Sequence, residues 1–486
     1  MLDFLSRLFS GKTPRRSRSH GRVVVVRGYD AAKIDNLLQG WSADLGVSAT
    51  DISANLPIVR GRVREMAKND PYVRRALQMF DNNIVGPTGI KLSMDVPGKD
   101  DTVDVEASDV VEEAFARWAE HPEWCDAEGV KTLRTILSLA VQDWMREGEA
   151  IICIIPGGAH RGNPFGISLK RRRPDALAIQ KNGVAQNGNQ IMNGVEVDGW
   201  GRKVAYHFYT KMAVNGVFMG DTVRVPASQV LHLYTEEYEG QVRGFPIFTS
   251  VIRDLKMAHL YDEAELVAAR LDAARCGTWE QMEGGDPTQI ADPDDEGFSQ
   301  EVSPGEDRVA PFGWRYVPNT PSRPNAGYGK FKQDVLRRVA SGISLSYNVL
   351  ANDLEGVNYS SIRAGTLEDR ETYKTLQQKV VDMVLRPLFR LPGGWVDCAF
   401  LSGALDIDAG RLEDVRGADS WKPRNWPWVD PGSETAALEK NIGLGIVTKT
   451  DACDEQGRDY YKNLETIAQE REWQKNTGVT DEADQE

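Results

Sequence analysis

The 486-residue chain is poor in the side chains from which catalytic and metal sites are most often built. Its five cysteines (Cys125, Cys153, Cys276, Cys398, Cys453) are scattered and no two show CxxC spacing. That argues against a zinc ribbon or a disulfide framework and for a reducing compartment. The six histidines, His20, His121, His160, His207, His232 and His259, form no HExxH pattern or other close metal spacing. His207 and His232 fall in strand-like runs and read as packing residues. There is no GxSxG elbow. Ser10-Gly11-Lys12-Thr13 echoes the end of a phosphate loop, but Ser6 stands where its first glycine belongs and no strand precedes it. Asp292, Asp294, Glu296 and Gly297 imitate the start of a calcium loop, but Ser303 occupies the position of the closing bidentate acid. No catalytic residue, metal ligand or cofactor is assigned, and an enzyme is not expected.

Long apolar runs are also missing. Val23 to Val26 and Ala150 to Ile155 are far shorter than the roughly 20 residues that cross a bilayer. The N-terminus carries Asp3 where a secretory signal has bases. A soluble protein made in a cytoplasm, with no membrane partner, is expected.

What is present is an ordinary globular balance, 41% hydrophobic and 27% charged, which rules out a wholly disordered chain. At roughly 150 residues per domain the length suggests about three domains, or one large body with appendages. Lys and Arg number 58 against 72 Asp and Glu, a formal charge of −14. Tight DNA wrapping needs clustered Lys and Arg, so that class is disfavoured. A surface from which DNA is kept from sticking remains open.

The acidity is patterned. Residues 276–327 hold seven prolines, seven glycines, ten acids and three bases, so −7 of the −14 sits in this one stretch. Such composition predicts an irregular or small β-rich excursion rather than a core element. Before it, Ile247 to Arg275 contains no Gly or Pro and predicts a helix about 43 Å long, stopped at Gly277. After it, a second helix runs from Lys330 to near Leu345 and is basic, with Lys330, Lys332, Arg337 and Arg338 against Asp334. A polar loop follows over Asn348 to Tyr359. Ser360 and Ser361 are suited to cap the next long helix, which Pro387 should end or kink.

Elsewhere, residues 1–30 read as a basic flexible arm and 31–85 as helices, with Asp70-Pro71 as an N-cap and first helical proline. Asp109 to Glu120 and Thr132 to Glu147 are further amphipathic helices, the second ending at Gly148. From Ala150 to about His232 the pattern is a mixed or antiparallel sheet, with Asn182-Gly183, Asn187-Gly188, Asn193-Gly194 and Asp198-Gly199 as hairpin turns. Trp421 to Ser433 reads as an extended connector, Glu434 to Ile442 as a short helix, and the chain from 471 as disordered.

Several strings, in order, resemble the lambda-type family of tailed-phage portal proteins. They are Arg62-Val63-Arg64-Glu65-Met66-Ala67-Lys68-Asn69-Asp70-Pro71-Tyr72 with Asn82-Asn83-Ile84-Val85-Gly86; Trp144 with Arg146-Glu147-Gly148-Glu149; Arg224-Val225-Pro226-Ala227 with Val230-Leu231-His232; Gly240-Gln241-Val242-Arg243-Gly244-Phe245-Pro246; Tyr261 to Arg270; Asn358-Tyr359-Ser360-Ser361-Ile362-Arg363-Ala364; and Val429-Asp430-Pro431. The resemblance extends over about residues 30 to 465. Lys170-Arg171-Arg172-Arg173-Pro174-Asp175 departs from the family, which has a more acidic strand end there.

The resemblance implies an α+β portal fold with wing, stem helices, clip and crown, assembled as a homo-oligomeric ring, a dodecamer, at one capsid vertex. Double-stranded DNA would pass through it non-specifically. The large terminase subunit, capsid or scaffold protein, and a head-completion or adaptor protein would be its partners. The protein would be a virion component, made in the host bacterial cytoplasm. On this mapping 31–246 is wing, 247–275 and 328–347 are stem helices, 276–327 is clip, 348–362 is the channel loop, 363–390 is a wing helix and 391–470 is crown. Lys330, Lys332, Arg337 and Arg338, with Asn352, Asp353, Glu355 and Asn358 of the loop, become candidates to face DNA. Asp292, Asp294, Asp295 and Glu296 become an acidic clip surface. The competing use of the four bases is ion pairing with stem-helix acids such as Asp262, Glu263 and Glu265. The alternatives are another structural phage head or adaptor protein, or a packaging enzyme with an unrecognised site.

Overall fold

The computed structural model describes residues 49–98, 102–157, 162–213, 216–274, 277–281, 314–318, 327–355, 358–427, 431–458 and 460–477. The N-terminal arm lies outside them. Helix α1 (Ala49–Asn69) and helix α2 (Pro71–Ile84) are separated only by Asp70. The Asp70 carboxylate accepts the N–H groups of Tyr72 and Val73, and Pro71 fills a position that needs no N–H. Val73, Ala76, Phe80 and Ile84 are buried at the expected three- and four-residue spacing. Strand β1 (Lys91–Met94) follows. Helix α3 (Val105–Glu120) starts a turn earlier than its apolar periodicity indicated, because Asp104 caps it through Ala107 N–H. A single turn, α4 (Pro122–Cys125), leads to α5 (Leu133–Glu147), capped by Thr132 and closed by Gly148 at φ 89°.

The strand region is two antiparallel sheets, not one. Its strands are β2 (Glu149–Pro156), β3 (Ile167–Arg172), β4 (Gly183–Val184), β5 (Gln190–Met192), β6 (Val195–Val197), β7 (Lys203–Met212), β8 (Phe218–Pro226) and β9 (Val230–Tyr234). One sheet has the order β3-β2-β9 and the other β4-β5-β6-β7-β8. Asn193-Gly194 joins β5 to β6 with both residues at positive φ, 50° and 84°, the geometry that matches hairpin twist. Asn187-Gly188 and Asp198-Gly199 sit in the other hairpin loops, whereas Asn182-Gly183 only leads into β4. The basic run on β3 is consumed within the chain. Lys170 pairs with Glu128, Arg171 with Asp143 and Arg173 with Asp175. The Arg172 guanidinium lies 5.8 Å from the Phe208 ring centre.

Helix α6 (Ile252–Ala274) begins five residues later than expected. Residues 247–251 form turns instead, held by Thr249, whose N–H and hydroxyl both donate to Pro246 O. Strands β10 (Gly277–Gln281) and β11 (Trp314–Pro318) pair antiparallel within the acidic stretch. Asp292, Asp294, Asp295 and Glu296 lie outside the described residues.

Helix α7 (Tyr328–Gly342) is followed by the short α8 (Tyr347–Ala351) and by α9 (Tyr359–Val380). Of the stretch expected to be loop over 348–362, the described residues outside helices are 352–355 and 358. The cap of α9 is Asn358, not Ser360 or Ser361. Its side chain accepts the Ser361 N–H at 2.8 Å. Pro387 does not end the helix. A π turn, Val381–Leu385, precedes it, and α10 (Arg386–Arg390) continues with the proline in its first turn. Then come α11 (Trp395–Leu401), α12 (Leu412–Gly417) and β12 (Asp419–Lys422). Strand β12 pairs antiparallel with β1, Trp421 opposite Leu92, so the Trp-rich connector starts as a strand. Helices α13 (Pro431–Gly443), α14 (Lys449–Glu455) and α15 (Tyr460–Thr477) are the last described elements. Residues 471–477 are helical rather than disordered, in line with their Arg, Glu, Gln and Lys content.

The main core joins α2, α3, α5, β2 and α9 to α11 around aromatic rings. Trp395 stacks on Phe389 at 5.8 Å and meets Phe115 edge-on at 5.0 Å. A second core lies between the sheets, built on Ile151, Cys153, Leu177, Tyr206 and Phe208.

Candidate functional site: the paired helices, their loop and the ionic knot at their root

Helices α6 and α7 are fastened by charge at two levels. Lys332 Nζ lies 2.9 Å from Asp262 Oδ2, and the Tyr328 hydroxyl donates to Asp262 Oδ1 at 2.6 Å. The Tyr72 and Tyr328 ring centres are 5.6 and 5.8 Å from the same ammonium. Burial opposes charging of Lys332, but the Asp262 hydrogen bond and charge outweigh it and hold its pKa above the usual lysine range. Arg338 reaches Asp254 at 2.8 Å. Arg337 instead pairs with Asp334 on its own helix at 3.3 Å and lies over the Tyr347 ring. Lys330 is exposed and makes no ion pair among the described residues. Of the four predicted basic residues, two are thus engaged by α6 acids of the same chain. Lys330 and Arg337, seven positions apart, share an exposed stripe of α7.

The same helices leave apolar side chains in solvent. Met257 is 61% exposed, Leu266 71%, Val267 52% and Phe331 51%. A helix apolar on several sides is one that an assembly covers.

The loop after α8 is held at both ends. Asn352 adopts left-handed geometry at φ 54° and its Oδ1 accepts Arg75 Nη2 at 3.2 Å. Asp353 accepts the Tyr347 hydroxyl at 2.7 Å and the Glu355 N–H at 3.0 Å. The Tyr347 bond, then the Glu355 N–H, holds its carboxyl below the ordinary range. Asn358 caps α9. Three of the four predicted loop residues therefore shape the loop, and Leu354 and Glu355 are its exposed described tip.

Sequence reasoning missed the most heavily buried charges. Glu149, at the start of β2, is fully buried. It accepts Arg243 Nε at 2.9 Å and Arg243 Nη2 at 2.5 Å, pairs with Arg60 Nη2 at 2.9 Å, and sits 3.1 Å from His232 Nε2. Arg64 extends the knot to Glu147 at 2.6 Å and Asp175 at 2.7 Å. The buried members are Arg60 and Arg243 with Glu147 and Glu149, two charges of each sign, while Arg64 and Asp175 are partly exposed. Burial alone would raise the Glu149 pKa; Arg243 and Arg60 hold it well below the carboxylate range. His232 is pushed down to about 4 by burial and stays neutral. Next to the knot, Gly148 and Gly244 pack backbone on backbone. A Cβ on Gly244 would fall 2.0 Å from Gly148 O. The knot ties α1, β2 and β9 to the segment that leads into α6. The strings Arg146 to Glu149 and Gly240 to Gly244 were visible in sequence, but nothing in it paired residues 94 positions apart.

The family described as phage portal protein, lambda family, matches residues 35–377. The probable portal protein of Halomonas phage phiHAP-1 is 29% identical over 446 residues, covering 90% of this chain and 84% of that one. Portal protein B of Escherichia phage lambda is 20% identical over 468 residues, 87% of this chain and 85% of that one. Among solved structures, a chain from the neck of an empty gene transfer agent particle, computed with C6 symmetry, superposes with a TM-score of 0.50 at 15% identity. It covers 87% of this chain and 98% of that one. That likeness is one of fold.

Proposed function

The chain belongs to the lambda family of phage portal proteins, and from that premise we propose how its parts act. It is a portal protein and a virion component. Copies of it assemble head-to-tail into a closed ring, a dodecamer, through one repeated heterologous contact whose rotation closes. The ring stands at one capsid vertex and double-stranded DNA passes through its centre. The observation that carries this reading is the apolar surface left uncovered on α6 and α7, where a stem would meet its neighbours.

In this reading α6 and α7 are the stem, 276–327 is the clip, 352–358 is the channel loop, the body before α6 with α9 and α10 is the wing, and the chain after 390 is the crown. The protein carries out no covalent chemistry. The large terminase subunit docks during packaging, capsid or scaffold protein surrounds the ring, and a head-completion protein replaces the terminase. Synthesis takes place in the bacterial cytoplasm.

Passing DNA must slide, so phosphate contacts have to be few and brief. Lys330 and Arg337 are the bases of α7 that no α6 acid engages among the described residues, and they suit that role. Lys332 and Arg338 act as fasteners. The double variant Lys330→Glu, Arg337→Glu is expected to form rings of normal size while retaining packaged DNA several-fold less well. Wild-type retention would remove both residues from the DNA path. Failure of ring formation would assign them to subunit contacts.

A further inference from the structure

The geometry points to a plug and socket between neighbouring copies of this chain: the Trp200 turn of one copy seats in the groove between α3, β1 and the start of α5 of the next. This rests on the ring reading above and names two surfaces that would form part of it.

Trp200 is 88% exposed. It stands at the apex of the β6–β7 turn, between Gly199 and Gly201, so no adjacent side chain covers either face of its indole. The turn is held rigid by one carboxylate. Asp198 Oδ1 accepts the N–H groups of Trp200 and Arg202, each at 2.9 Å, and its Oδ2 pairs with Arg202 Nε at 2.8 Å. A large, preorganised aromatic that pays little entropy on docking has the character of an interface anchor.

The groove has room for an indole. Its volume is about 640 Å³ and its floor is apolar, with Phe115, Ala116, Leu133 and Leu137. Its walls are oppositely charged. The α3 wall carries Glu113 and Glu120, both exposed and without an ion-pair partner among the described residues. The facing wall carries Lys91 and Arg134, the latter bonded to Gly86 O, while Lys462 at the rim is already paired with Asp109 and Glu112. Arg202, 76% exposed beside the indole, has the charge that Glu113 and Glu120 lack.

Geometry favours a groove on a second copy. The groove lies at the N-terminal end of α5, at Thr132, Leu133 and Leu137. Trp200 is 88% exposed and does not line the groove of its own chain, so the groove it would fill is a second copy's. A contact in which different surfaces of one chain meet is heterologous, the kind that closes a ring.

The test uses the full-length protein, by native mass measurement and by oxidative cross-linking. Trp200→Ala, at an exposed turn where folding is not at stake, is expected to reduce the ring fraction several-fold, and Trp200→Phe to retain most of it. Arg202→Glu should weaken rings, and Glu113→Arg with Glu120→Arg should restore them in that background. The pair Trp200→Cys, Ala116→Cys should give a ladder of covalent oligomers on oxidation that neither single variant gives. Wild-type rings in Trp200→Ala with no ladder would overturn the plug and leave the ring intact. Wild-type protein that stays monomeric at every concentration would overturn both.

Discussion

Replacing Glu149 by glutamine is expected to cost about 3–5 kcal/mol of folding stability, the penalty for leaving buried charge without its partner. Glutamine keeps the shape and removes only the negative charge, so Arg60 and Arg243 are left buried with two positive charges and one neutral amide. Arg243→Ala should cost a similar amount for the opposite reason. Urea unfolding of the purified chain measures both, and losses below about 1 kcal/mol would show that the knot is not what holds the root of α6. The knot also gives a pH dependence with a definite sign. His232 titrates near 4 when folded and at its ordinary 6.5 when unfolded. Between those values the unfolded chain binds a proton that the folded chain does not, so stability falls as pH drops from about 6.5 to about 4. Glu149, held well below 4.5 when folded, adds a loss in the same direction once pH falls below its unfolded value. His232→Asn should flatten the upper part of that fall while leaving the loss from Glu149.

Gly244→Ala is the second large effect. The added methyl would lie 2.0 Å from Gly148 O, 2.8 Å from Tyr234 Cβ and 2.9 Å from Gly148 C. Two of these three atoms are backbone, so no rotamer change relieves the clash, and the segment from Gln241 to Pro246 has to leave its place beside Glu149. Movement of that segment also breaks the Arg243 contacts, so the steric and electrostatic losses add. A cost above about 4 kcal/mol is expected, the range reserved for core overpacking and broken buried networks. Insoluble protein or a collapsed unfolding midpoint is the readout. Gly61→Ala is the control. Gly61 lies inside α1 with nothing within 4 Å of its Cβ position, so alanine should stabilise by about 0.5–1 kcal/mol. A Gly244→Ala variant that behaves like Gly61→Ala would mean the two glycines do not need to touch.

What was legible in the sequence was local. The Asp70 cap, the Gly148 stop and the Asn193-Gly194 turn are each decided by a few adjacent residues, and each stands as read. The order of long helix, acidic excursion and basic helix was also readable, because Gly, Pro and charge content switch sharply at 276 and 327. Misjudged elements depend on distant partners or on small competitions between neighbours. Helix α9 takes Asn358 as its cap over two available serines, α8 closes part of an apparent loop, and a π turn carries the helix across Pro387. The candidate bases were recognisable as a cluster. Their division into fasteners and free groups was not, since Lys332 meets Asp262 across 70 positions and Arg338 meets Asp254 across 84. The ionic knot was hidden for the same reason. Glu149 looks like any acid in an acidic chain until Arg60 and Arg243 close over it.

The proposed assembly is a ring around a hole through which DNA moves. Electron microscopy of the purified full-length protein, with native mass measurement of the same sample, tests it most directly. Closed rings of twelve chains with an open centre are expected. A stable monomer at all concentrations, or an icosahedral shell without a single axial opening, would contradict it.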